Sequence, residues 1–104
     1  MTSLRVERDG KVAVAISPEY GAGWVTWNSG LSPFEPKVIR MIEEERQNEI
    51  TKEWCEAELG LKNIYCGGAE DLKIVWLKKG TRFSIMEYDG YESLTTDDGL
   101  AYEA

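Results

Sequence analysis

The chain has 104 residues, 42% of them hydrophobic and 30% charged, which fits one globular domain with a modest core. It holds no apolar run near the roughly 20 residues of a membrane helix, and its N-terminus, MTSLRVERDG, lacks the apolar segment of a signal peptide. The formal net charge is −7, and residues 87–104 carry six acids and no base, leaving a nearly neutral body with no basic excess for binding nucleic acid phosphates.

Residues 4–16, LRVERDGKVAVAI, read as a β-hairpin. Leu4, Val6, Val12, Val14 and Ile16 alternate with polar or small residues, and Asp9-Gly10 supplies the turn, because both central positions favour positive φ. A long Gly-rich connection follows, from Ser17 to about Ser32. Long loops are more often functional than short ones. Pro36 suits the first turn of a helix running to about Gln47, while Ser32-Pro33-Phe34-Glu35 fits a capping box that starts it one turn earlier. Val38, Ile39 and Ile42 form its apolar stripe. A second helix runs from Thr51, an N-cap residue type, to Leu59, with Gly60 as its stop. Asn63–Cys66 reads as a short edge strand. Leu72–Leu77, Arg82–Tyr88 and Tyr91–Thr95 read as a β-meander, with a second hairpin signal at Asp89-Gly90. The expected fold class is therefore α+β: a mostly antiparallel sheet with two helices on one face. The domain is expected to span 1–96, with 97–104 as an acidic, flexible tail.

The segments "ISPEYGAGWVTWN" (16–28) and "GGAEDLKIVWLKKGTRFSIMEYDGYE" (67–92), with the helices between them, resemble small, mostly uncharacterised bacteriophage accessory proteins. The resemblance implies a protein that works stoichiometrically, by binding a host protein, a defence component or a signalling nucleotide; the N-terminus, without an export signal, leads to the expectation of a cytoplasmic location in the host cell. It implies no assigned chemistry.

The residues themselves argue against catalysis. The chain has no histidine, so the commonest general base and the Ser-His-Asp and Cys-His arrangements are absent. Cys55 is expected in a helix core and Cys66 in a strand, and their spacing matches no zinc pattern. Glu70 and Asp71, beside Gly67-Gly68, are the remaining carboxylate pair, and solvated turn residues explain them as well. No cofactor or metal site is expected.

Binding is the better reading, with "YGAGWVTWNSG" (20–30) as the leading site. Gly21-Ala22-Gly23 superficially resembles a phosphate loop. It lacks the spacing of a known phosphate motif, and no Lys or Arg lies between Ile16 and Pro36. These glycines fit better as places where the backbone turns or a ring packs close. On a strand, Trp24 and Trp27 would point to opposite faces, one into the core and one out. On a helical turn both would share a face. An exposed indole anchors protein interfaces or stacks on a planar ring. Both indoles in the core is the competing reading. The candidate binding residues are Tyr20, Gly21, Gly23, Trp24, Trp27 and Asn28. A secondary acidic surface is expected at Glu87, Asp89 and Glu92 on the last hairpin. The expected partner is a host protein, bound without nucleic acid or membrane. A small-ligand site beside this loop and Gly67-Gly68 is the alternative, and a structural virion role the third. Oligomeric state is left open.

Overall fold

The computed structural model describes residues 5–19, 23–28, 30–96 and 101–104. Leu4, Tyr20, Gly21, Asp97 and Asp98 lie outside them.

The fold is α+β with antiparallel strands, as expected, divided into two three-stranded sheets. In the first, β1 (Glu7–Arg8) and β2 (Lys11–Ile16) form the hairpin, and β3 (Lys73–Lys78) pairs with the other side of β2. Asp9 and Gly10 both have positive φ, +51° and +77°, as a two-residue turn requires. In the second sheet β4 (Arg82–Tyr88) lies between β5 (Tyr91–Thr95) and β6 (Tyr102–Glu103). Asp89-Gly90 makes the same kind of turn, with φ of +53° and +89°. Among the described residues β3 and β4 do not pair. At Lys79 the chain leaves the first sheet, where its N–H bonds the Gly10 carbonyl, and at Gly80 it joins the second by donating to the Ala104 carbonyl.

β2 explains this layering. Its odd residues, Ala13 and Ala15, face a core built with the helices. Its even residues, Val12, Val14 and Ile16, face a second core with Phe34 and Phe83. A strand buried on both sides needs apolar residues at every position, and Val12–Ile16 provides them. The small alanines let helix α1 (Pro36–Glu43) pack close.

Helix α1 starts at Pro36, with the Glu35 carboxylate accepting from the Lys37 N–H, so the earlier start at Ser32 is not used. It ends four residues before the expected Gln47. Glu45 has φ +56°, and the Arg46 and Glu45 N–H groups return to the Met41 and Ile42 carbonyls, closing a Schellman motif without glycine. Helix α2 (Lys52–Leu59) follows its sequence signals closely. The Thr51 hydroxyl caps the Trp54 N–H at 3.1 Å, and Gly60 is left-handed at φ +68°.

Three expectations need correction. The single sheet with a three-strand meander is not formed: β3 turns back onto β2, and only the β4–β5 hairpin of the meander remains. Asn63–Cys66 is irregular rather than a strand, because Asn63 turns the chain at φ +60° and the edge beside β2 is already taken by β3. Residues 101–104 belong to the domain and are not a tail: β6 pairs with β4 at Arg82↔Glu103 and Phe83↔Tyr102. The rings of Phe83 and Tyr102 stack at 5.3 Å, which ties the segment to the second core. Among the described residues no helix is long and apolar enough to cross a membrane.

Candidate functional site

Val25–Trp27 forms a single 3₁₀ turn rather than a strand. The two indoles are nevertheless divided, because Trp24 stands at the N-cap, before the turn begins, with φ −119° and ψ −88°. Trp24 is fully buried in the helix-side core, and Trp27 is 42% exposed. The buried Trp24 indole N–H has no acceptor among the described residues, so its place in the core is set by volume, not by polarity.

Trp27 does not stand alone. Its ring lies 5.2 Å from that of Tyr65, tilted by 49°, and Tyr65 is 41% exposed. Each ring rests on a glycine. A Cβ on Gly23 would fall 2.4 Å from the Trp27 ring, and one on Gly67 would fall 2.3 Å from the Tyr65 hydroxyl oxygen. Gly23 thus serves the close approach of a ring, as its residue type suggested. Sequence reasoning missed Tyr65, because its partner lies far away along the chain.

Asn28 is buried and joins the two segments. Its Nδ2 donates to the Trp24 carbonyl at 2.9 Å and to the Tyr65 carbonyl at 3.0 Å. Its Oδ1 accepts from the Tyr65 N–H at 2.8 Å. Asn28 is therefore a support beneath the aromatic pair and not a surface contact.

Glu92 is the chief correction to the expected site. It is fully buried, not part of an acidic surface. Alternation along β5 puts it on the face of Leu94, whose partner Ile85 packs on the second core, although its own cross-strand partner is the exposed Glu87. Its Oε1 accepts from the Ser17 N–H at 2.9 Å. Its Oε2 accepts from the Trp24 and Thr26 N–H groups, both at 2.9 Å, and from the Thr26 hydroxyl at 2.6 Å. The Glu92 N–H in turn donates to the Ser17 carbonyl. A buried carboxylate is tolerated only when donors replace its water, and these four do so. The glycine-rich loop does cradle an anion, and that anion is the chain's own Glu92. The N–H groups of Trp24 and Thr26 are accordingly committed inward.

Glu87 and Asp89 are exposed, as expected. Glu87 accepts from the Gly90 N–H at 2.7 Å and so completes the β4–β5 turn. The outer face of that hairpin is more apolar than acidic: Met86, Tyr88 and Tyr91 share it, at 57%, 75% and 38% exposure. Glu70 and Asp71 lie on a 3₁₀ turn, Ala69–Asp71, and Glu70 but not Asp71 lines an open cavity of about 430 Å³. Gly67, Cys66 and Thr51 also line that cavity. Among the described residues no group of three or more Cys, Asp or Glu side chains is arranged to hold a metal.

No family model, curated protein or solved structure matches this chain.

Proposed function

We propose that this protein is a non-catalytic binding module that engages another protein through the Trp27–Tyr65 face. The observation that carries this reading is the exposed, rigidly mounted aromatic pair. Each ring is seated on a glycine, and the loop beneath is fixed by Glu92 and Asn28. Large rings left in water at fixed positions bury much area on contact and lose little entropy in doing so. The lack of histidine and the burial-raised thiols of Cys55 and Cys66 support a role without turnover. The resemblance to phage accessory proteins suggests that the partner is a host protein or defence component, bound stoichiometrically and thereby inhibited.

The test is binding by Trp27→Ala and Tyr65→Ala variants that keep the native circular-dichroism spectrum. Loss of the partner in both supports the reading, and full retention in both rejects it.

The cavity beside Gly67 favours a second reading, a planar small ligand with Tyr65 at its rim. Gly67 lines the cavity and touches the Tyr65 ring. A nucleotide thermal-shift panel separates the two, since a ligand at 100 times its Kd adds about 2.7 kcal/mol.

A further inference from the structure

Cys55 and Cys66 come together across the irregular segment that follows α2, with their Sγ atoms 4.0 Å apart. The two thiols differ in access. Cys55 sits on α2 and is fully buried, while Cys66 is half-buried and lines the open 430 Å³ cavity. A disulfide needs an S–S distance of about 2.05 Å. The remaining approach falls on Cys66, which belongs to no helix or strand and is followed by Gly67-Gly68. We propose that Cys55 and Cys66 are an oxidisable dithiol that closes to an intramolecular disulfide by exchange with a low-molecular-weight disulfide entering through the cavity.

The exchange balances in two steps. The Cys66 thiolate attacks one sulfur of the small disulfide RSSR, forming a Cys66–SR mixed disulfide and releasing RS⁻. The Cys55 thiolate then attacks Cys66 Sγ, forming the Cys55–Cys66 bond and releasing the second RS⁻. The two protons lost by the protein thiols leave on two RSH molecules. The protein is oxidised by two electrons and RSSR is reduced by two. The order follows from access: Cys66 lines the open cavity and Cys55 is fully buried, and burial, which raises the Cys66 thiol, is opposed there by the hydrogen bond from Cys55. Burial pushes Cys55 up to about 12, so the second step is the slow one and quickens as pH rises.

The test uses the full chain, equilibrated with reduced and oxidised glutathione in a series of ratios. Samples are quenched in acid, alkylated after denaturation, and read by intact mass and peptide mapping. As the oxidised fraction rises, the species with two alkylatable thiols gives way to one with none. That species is lighter by two hydrogens and yields a Cys55–Cys66 peptide. Cys55→Ser instead retains glutathione on Cys66, and Cys66→Ser leaves Cys55 unmodified while folded. A wild type that stops at the mixed disulfide, keeps both thiols throughout, or forms only intermolecular disulfides overturns the proposal. The wild-type series decides even if a serine variant fails to fold.

Discussion

Replacing Glu92 by Gln keeps the shape of the side chain and removes its charge. One side-chain oxygen remains as acceptor. Placed where Oε2 now sits, it still takes the Trp24 and Thr26 N–H groups and the Thr26 hydroxyl. The amide nitrogen then faces the Ser17 N–H, donor against donor. A hydrogen bond to a charged group contributes about 1.5–3 kcal/mol and a neutral one about 0.5–1.5 kcal/mol. One bond is lost and three weaken, offset in part because no charge is buried. The expected net cost is about 2–4 kcal/mol, or a Tm lower by roughly 10–20 °C in a domain of this size. Glu92→Ala leaves all four donors unmet and costs about 3–5 kcal/mol. Glu87→Gln, whose carboxylate is exposed and among the described residues accepts from the Gly90 N–H alone, costs under about 1 kcal/mol. Urea unfolding followed by tryptophan fluorescence measures all three. Hydrogen exchange at the Ser17, Trp24 and Thr26 amides should accelerate in Glu92→Gln. If Glu92→Gln matches wild type within about 0.5 kcal/mol, the account of a loop anchored by its own carboxylate is wrong.

Gly23→Ala places a methyl carbon against the base of the Trp27 ring, whereas Gly67→Ala meets the far end of Tyr65, which swings aside more easily. Denaturation midpoints should therefore fall further for Gly23→Ala, and Trp27 emission should shift only in that variant. Trp24→Phe gives up ring volume and also removes a buried N–H that has no partner among the described residues. Its unfolding free energy should drop by less than half of the roughly 3–5 kcal/mol expected for Trp24→Ala. The reduced protein should lose stability as pH rises above about 9, the ordinary thiol value, toward the value of about 12 to which burial pushes Cys55. The unfolded chain binds fewer protons than the fold in that window, so stability is complete below it and declines through it. Chemical-denaturation midpoints across pH 8–11 (roughly the accessible range) should show a shallower decline in Cys55→Ala than in wild type.

What the sequence disclosed was mostly local chemistry. Asp9-Gly10 and Asp89-Gly90 mark turns because both residues tolerate positive φ, and Thr51 and Gly60 bracket α2 because each satisfies helix-end groups. The end of α1 was hidden, since Glu45 takes a left-handed φ that its side chain does not advertise. Pairing of β2 with β3 was hidden for a different reason: it joins segments far apart in sequence, and β3 is locally as ready to pair with β4. The candidate site divides in the same way. Gly23 and Trp27 were visible within one short stretch, but the tilted ring contact of Trp27 with Tyr65 is nonlocal. Glu92 did leave a signal. It shares strand parity with Leu94, so a carboxylate stands on the core-facing side of β5. A charge there requires donors from elsewhere, and a loop of small residues with free N–H groups supplies them.

The most direct measurement compares immobilised wild type, Trp27→Ala and Met86→Ala as baits in lysate of the proposed host cell, with bound proteins quantified by mass spectrometry. Both substitutions remove an exposed apolar side chain, at 42% and 57% exposure, but only one lies on the proposed face. The account predicts a partner captured in stoichiometric amount by wild type and Met86→Ala and lost from folded Trp27→Ala. A partner retained equally by Trp27→Ala, or lost only from Met86→Ala, would contradict it and move the recognition surface to the β4–β5 hairpin.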